Sequence, residues 1–324
     1  MTVKFLIIRF SSIGDIVLTT PVVRNLKQQV EGAEVHYVTK KQYAGMLEAN
    51  PYVDKVHVLE KSFSELIPEL KAEYYHYIID LHKNLRTYKV KKALKIQSFS
   101  FNKINWEKWL MVNLKVNKLP DLHIVDRYLE TVKVFIEKND LKGLDYFIPE
   151  KDVVNITTLP ANFQNGYIAF AIGAQHATKK LPPEKIISIC KKINKPIVLL
   201  GDKNDSVVAE KVVEAIGNKI YNACGKYNLN QSASLVEQAE VLITHDTGLM
   251  HIAAAFKKKI ISVWGNTIPE FGMYPYLSGE GSEIIEVKGL KCRPCTKIGF
   301  NKCPKKHFKC MNDIDEEKIV QLCQ

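Results

Sequence analysis

Eleven short apolar runs, none longer than eight residues, alternate with segments of helical period along almost the whole chain. Runs this short and this rich in Val, Ile and Phe suit strands buried on both faces. Strands separated by helices must pair in parallel. In the first half the runs fall at 3–10 (VKFLIIRF), 34–39, 55–59, 76–81 and 96–101, with helices expected at 16–30, 41–48, 63–72 and 84–94. Thr20-Pro21 reads as an N-cap with proline behind it, a place for the first helix to kink or restart. Ile124, Tyr128, Val132 and Phe135 share one stripe, which predicts a further helix over 123–138. A polar, proline-marked stretch at 146–166 interrupts the pattern, and the alternation then restarts. The second set of strands falls at 167–173, 196–201, 219–224, 241–244, 259–265 and 283–287, with helices at 182–193, 205–216, 231–239, 247–256 and after Asp313. The fold class is α/β: two parallel-sheet domains, 1–155 and 156–312, and a terminal helix over 313–324.

No run approaches the roughly 18 apolar residues that a membrane helix needs. The chain opens directly on a strand pattern rather than on a secretory signal, so a cytoplasmic protein is expected. The formal net charge is +11, yet only five of the 46 basic residues are arginine: Arg9, Arg24, Arg86, Arg127 and Arg293. Base reading leans on arginine, so no nucleic acid partner is expected. Phosphate-bearing ligands or an anionic membrane surface suit a lysine excess better. Seven cysteines, an odd number, argue against a secreted disulfide framework.

In open parallel sheets, ligands sit beyond the carboxyl ends of the strands. Three such loops carry chemistry. The first, RFSSIGD (9–15), offers the hydroxyls of Ser11 and Ser12 and the carboxylate of Asp15. Asp15 either caps the following helix or faces a ligand as a proton acceptor. The loop lacks the G-x-G-x-x-G of a dinucleotide site. The second, IGAQHATKKLPPEKI, places Thr178 and Lys179 before a helix, where they either grip phosphate oxygens or are simply solvated. In the third, THDTGLMH, Asp246 or Thr247 can cap a helix that starts near Gly248, and such a terminus is a ready anion site. His251 lies one turn further on, as a core group or a ligand contact.

Taken in order, FLIIRFSSIGDIVLTTPVVRNLK near the start and HDTGLMHIAAAFKKKIISVWGNTIPE later resemble the bacterial heptosyltransferases of glycosyltransferase family 9. The resemblance covers nearly the whole chain. It implies the GT-B architecture, two Rossmann-like domains facing across a cleft. It also implies an inverting, metal-independent transfer of heptose from ADP-heptose to the lipopolysaccharide inner core. Asp15 matches the family's proposed base. Thr178 and Lys179 match donor-phosphate contacts, Asp205 a ribose contact and Tyr227 an adenine-side contact. Asp246, Thr247, Gly248, Leu249 and His251 match the donor motif. Acceptor contacts carry over to Ser11, Ser12, Lys83, Arg86, His123 and Arg127. Where the family places an aromatic before the proline of the phosphate helix, this chain has Leu181. The implied partners are an ADP-sugar and a lipid-linked oligosaccharide core, with peripheral contact at the inner membrane surface. The chain is expected to act as a monomer with no cofactor required for catalysis.

Near the C-terminus, CRPCTKIGFNKCPKKHFKC holds Cys292, Cys295, Cys303 and Cys310. Cys-x-x-Cys is a usual zinc half-site. The second pair is separated by six residues, with His307 as a substitute ligand. The cluster reads as a structural zinc site or as free thiols. Two readings compete with heptose transfer: the same fold using another nucleotide sugar, and a non-catalytic nucleotide-binding protein.

Overall fold

Every strand pair is parallel, and the strands sort into two separate sheets. The computed structural model describes residues 2–324. The first sheet contains β1 (Val3–Ile8), β2 (Ala33–Lys40), β3 (Lys55–Leu59), β4 (Tyr77–Asp80) and β5 (Gln97–Ser100), ordered β3-β2-β1-β4-β5. Along it run α1 (Ile13–Val17), α2 (Thr20–Gln29), α3 (Lys41–Ala44), α4 (Phe63–Ala72) and α5 (Leu85–Leu94), followed by α6 (Asn105–Asn113) and α7 (Ile124–Leu129). β1 is flanked on both edges, with Ile7 paired to Tyr37 on one side and to Ile79 on the other. Phe5, Leu6, Ile7 and Ile8 are fully buried, as a central parallel strand requires.

The second sheet contains β6 (Ile168–Ala171), β7 (Ile197–Leu200), β8 (Ile220–Asn222), β9 (Val241–His245), β10 (Lys259–Trp264) and β11 (Glu283–Glu286), ordered β11-β10-β9-β6-β7-β8. Its helices are α8 (Pro183–Lys192), α9 (Ser206–Ile216), α10 (Leu229–Gln238), α11 (Gly248–Ala255), α12 (Lys309–Asn312) and α13 (Glu316–Leu322). α13 packs on α8 through buried Ile319 and Val320, and Glu316 pairs with Lys185 at 2.7 Å.

Each strand order reverses direction once. In the first sheet the reversal sets the loops after β1 and β4 side by side; in the second, the loops after β6 and β9. These are the topological switch points at which open sheets bind ligands.

The chain divides into two compact units, Met1–Ile104 with Leu122–Pro149, and Asn105–Asp121 with Glu150–Gln324. The division falls a few residues before the expected boundary after 155, and 105–121 counts with the second unit. Lys115 explains that placement, because its Nζ donates to the carbonyls of Pro294 (2.5 Å) and Cys292 (3.4 Å). α6 was not expected at all: Trp106, Trp109 and Leu110 stand at helical spacing, yet none of its residues is buried.

Three expected helices change length, and the one over 41–48 shortens to α3, Lys41–Ala44. The segment 16–30 is broken into α1 and α2, with Pro21 in the first turn of α2. The helix expected over 123–138 stops at Leu129. Beyond it the backbone tightens to i→i−3 bonds at Thr131 and Val132, and the Thr131 hydroxyl donates back to the Tyr128 carbonyl at 2.6 Å. Thr131, Val132 and Val134 are β-branched and lose side-chain freedom in a helix. A buried ion cluster then fixes 140–145 on α2. Arg24, 1% exposed, donates to Asp140 (2.7 and 2.9 Å), to Asp145 and to the Gly143 carbonyl (2.8 Å).

Candidate active site

In the first unit the site is organised by Arg9, which sequence reasoning passed over. It follows β1 directly, and its guanidinium is consumed by four partners. Nε donates to the Ser11 carbonyl (2.7 Å), and Nη1 donates to the Leu81 carbonyl (2.6 Å) and the Tyr128 hydroxyl (3.0 Å). Nη2 meets Asp15 Oδ1 at 2.6 Å. One rigid fork therefore ties the loops after β1 and β4 and helix α7 to a single carboxylate. The other oxygen of Asp15 accepts from the Ser12 amide (3.2 Å) and the Ser12 hydroxyl (2.7 Å). Asp15 thus braces the start of α1, with one carboxylate oxygen on Arg9 and the other on Ser12. Burial favours its neutral acid, but the Arg9 charge and the Ser12 and Arg9 hydrogen bonds outweigh that and hold the carboxyl below its ordinary range.

His82, on the loop after β4, lies in the field of the same charges. Burial first, and the Arg9 charge second, push it down to about 4, so it is neutral at physiological pH. Asp80, fully buried, shapes this loop by accepting the amides of His82 (3.1 Å) and Lys83 (2.6 Å), with Lys91 on its other oxygen at 2.9 Å. Lys83 takes a left-handed backbone (φ 48°), and the side chains of Lys83 and Arg86 are exposed. The remaining expected acceptor contacts differ. His123 and Arg127 are only 2% and 4% exposed. His123 is the N-cap of α7 and accepts the Val125 amide at 3.1 Å, while Arg127 reaches the Asn102 carbonyl at 3.4 Å.

In the second unit the switch point between β6 and β9 is bridged by a Lys179–Asp246 ion pair of 2.6 Å. Asp246 Oδ2 also accepts from the Thr267 hydroxyl at 3.0 Å. Asp246 is therefore not the helix cap. Thr247 occupies the N-cap position of α11, without a capping side-chain bond, and Gly248 and Leu249 open the helix. The Thr247 hydroxyl lies 3.2 Å from that of Thr244. His251 is buried, at 2% exposure. Thr178 departs from expectation: its hydroxyl donates to the Phe300 carbonyl (3.0 Å) and accepts the Phe300 amide (2.8 Å), and the residue is buried. It anchors the loop and leaves the cationic role to its neighbours. Leu181 is buried in the core of this unit, and its amide donates to His245 Nε2 at 3.0 Å. The absent aromatic thus leaves the loop well packed. Burial pushes His245 down to about 4, so it stays a neutral acceptor.

Asp205 is the third anchor. Its carboxylate takes Lys180 (2.6 Å) and the Asp202 amide (3.0 Å). It sits against Gly173 and Gly201 at the ends of β6 and β7, where a Cβ on either glycine would collide with it. Tyr227, past β8, holds the Tyr221 hydroxyl at 3.2 Å, and burial raises its pKa.

The four C-terminal cysteines are neighbours without forming a closed ligand set. The Cys295 thiol donates to the Cys292 carbonyl at 3.2 Å, and Cys292 Sγ lies 3.8 Å from His307 Nε2. Burial raises the thiols of Cys295 to about 11 and of Cys310 to about 12, with the other cysteines of the cluster adding to it. Among the described residues, only His36, His57 and Glu73 bring three possible ligand atoms within 4.8 Å of one another.

A family model described as glycosyltransferase family 9 (heptosyltransferase) matches residues 63–303. The chain belongs to glycosyltransferase family 9. It is 24% identical to lipopolysaccharide heptosyltransferase 1 of Campylobacter coli over 98% of its own length and 97% of that protein. Its fold matches a family 9 glycosyltransferase from Veillonella parvula (TM-score 0.76, 20% identity, 98% and 95% of the two chains). It also matches ADP-heptose lipopolysaccharide heptosyltransferase II of Escherichia coli (TM-score 0.73, 18% identity, 98% and 97%). Two parallel-sheet domains of five and six strands are thus the GT-B fold of this family, and the chain is a glycosyltransferase. No helix among the described residues is long and apolar enough to cross a membrane.

In this family 9 chain, sequence reading missed Arg9, His82 and Thr267. Arg9 opens the loop 9–15 that was singled out, two residues before Ser11. That adjacency was the available signal.

Proposed function

We propose that this glycosyltransferase moves a heptose from ADP-heptose to the inner core of lipopolysaccharide, with inversion at the anomeric carbon. The first unit handles the acceptor and the second the donor. What carries the reading is the ionised Asp15 carboxylate, held by Arg9 at the switch point of the first sheet. Asp15 takes the proton of the acceptor hydroxyl while that oxygen attacks the anomeric carbon. The bond to ADP breaks in the same displacement, and the leaving diphosphate keeps the electron pair. A carboxylate of depressed pKa is a weak base, so the proton moves late, once the attacking oxygen has lost most of its charge to the new bond.

The departing ADP is stabilised by Lys179 and by the amides that open α11 at Gly248 and Leu249, without a metal. Asp205 takes the ribose hydroxyls, and Tyr227 lies on the adenine side. Lys83 and Arg86, exposed on the loop after β4, meet the anionic core sugars. The enzyme works as a monomer at the cytoplasmic face of the inner membrane, with the lysines around 291–309 touching anionic lipid. The cysteine cluster holds a structural zinc once its thiols ionise and close around it.

The test is Asp15→Asn. ADP affinity should stay within a factor of about two, while turnover of ADP-heptose with a truncated lipid core falls about 10²–10⁴-fold. Unchanged turnover removes Asp15 from its role. Turnover with a different nucleotide sugar but not ADP-heptose assigns the same site to another donor.

A further inference from the structure

We propose that the first unit carries a structural metal site for a zinc-type divalent cation, built from His36 Nδ1, His57 Nε2 and Glu73. These three groups bring their ligand atoms within 4.8 Å of one another. His36 is in mid β2 and His57 in mid β3, and both are essentially buried; Glu73 follows α4 directly. The site lies within the strands rather than at their loop ends, so its role is to join β2, β3 and the end of α4.

Hydrogen counting is the first argument. His36 Nε2 faces the Glu34 carboxylate at 2.8 Å, and His57 Nδ1 faces the Glu69 carboxylate at 2.6 Å. An ionised carboxylate only accepts, so each outer nitrogen carries the hydrogen of its ring. The inner nitrogens, His36 Nδ1 and His57 Nε2, are then both lone-pair atoms, and they face each other at 3.3 Å. The Tyr75 hydroxyl, 2.8 Å from each, has one hydrogen and can satisfy only one of them. A cation between the nitrogens accepts both lone pairs.

Geometry is the second. With zinc–nitrogen bonds of about 2.0–2.1 Å, two ligands of a tetrahedral ion lie about 3.3–3.4 Å apart, which is the spacing of these nitrogens. Glu73 Oε2 stands 3.9 Å from His36 Nδ1, and Tyr75 borders the fourth position. A carboxylate behind each ligating histidine is the usual support of such sites, fixing the tautomer and raising ligand basicity. Charge is the third. Lys4 and Lys55 bind Glu73 at 3.1 and 2.5 Å, and Lys4 also binds Glu34 at 3.0 Å. Three carboxylates, Glu34, Glu69 and Glu73, against these two lysines leave a net negative surround. Two imidazoles and an oxygen suit zinc better than a soft monovalent ion.

Cobalt is the probe, because it also separates this site from the cysteine cluster. The metal-stripped, reduced full chain is titrated with Co²⁺. The expected result in Cys292→Ser/Cys295→Ser, where the C-terminal cysteines no longer close on a metal, is visible d–d absorption at one equivalent without a sulfur-to-cobalt charge-transfer band. Adding His36→Asn/His57→Asn to that background should abolish it. Should that double variant not fold, Glu69→Gln gives the reading, with affinity falling about 10–100-fold. Zinc should raise the wild-type Tm while leaving turnover at the assay temperature unchanged. No stoichiometric uptake, uptake only with a thiolate band, or unchanged affinity in the His57 or Glu69 variants overturns the proposal and leaves a shared proton in the cluster.

Discussion

The Lys179–Asp246 pair makes a quantitative prediction about donor binding. At 2.6 Å, with side chains 16% and 12% exposed, the two charges nearly cancel for anything approaching from outside. Lys179→Met removes the cation and leaves the carboxylate. A phosphate oxygen that touches Nζ from the far side lies roughly 5–6 Å from that carboxylate, given hydrogen bonds of about 2.7–2.9 Å. Two unit charges about 6 Å apart at an effective dielectric near 20 repel by about 3 kcal/mol, or roughly a hundredfold in affinity. The lost charge-assisted hydrogen bond adds about 1.5–3 kcal/mol. ADP binding by Lys179→Met, measured by titration calorimetry, should therefore weaken by about 10³–10⁴-fold. Asp246→Asn in that background removes the repulsion and should recover about tenfold to a hundredfold. Asp246→Asn alone frees Lys179 and should change ADP affinity by less than about tenfold. The non-additivity is the signature. If the double variant is as weak as Lys179→Met, or weaker, Asp246 is a direct donor contact, and the account of it as the partner of Lys179 is wrong.

Arg9→Met should move the acid limb of kcat/KM to higher pH. Arg9 holds the Asp15 pKa down against burial, so without it burial is opposed only by the Ser12 hydrogen bonds and shifts the carboxyl toward the neutral acid, which cannot accept a proton; Arg9→Lys should keep the limb near its wild-type position. Arg24→Met leaves Asp140 and Asp145 without their cation and should destabilise the first unit by about 3–5 kcal/mol in a denaturant titration. Gly173→Ala should displace Asp205, costing about 1–3 kcal/mol of stability by overpacking and weakening ADP binding more than turnover at saturation.

The sheets were legible because the signal is local. A run such as Phe5–Ile8, apolar on both faces, has no stable place but the middle of a parallel sheet. Helix ends were less legible. Whether Val132 continues a helix or tightens a turn is decided by what Thr131 and its neighbours bond to, not by their stripe. α6 was harder to read, because its apolar residues, Trp106, Trp109 and Leu110 among them, are not buried. At the site, Asp15, Lys179 and Asp246 stood out by position after a strand. His123 and Arg127 came only from the family resemblance and turned out to be buried, since a motif records residue type and not which way a side chain is enclosed.

By itself the sequence determined the alternation of strands and helices, the two-sheet plan and the loops where charge collects, all set within a few residues of one another. Only the tertiary structure decided partners. Arg9 meets Asp15 but also Leu81 and Tyr128; Lys179 meets Asp246; His36 meets His57. Such pairs depend on the order in which strands assemble across the sheet. That order is fixed by burial summed over the whole unit, a quantity no short stretch of chain contains.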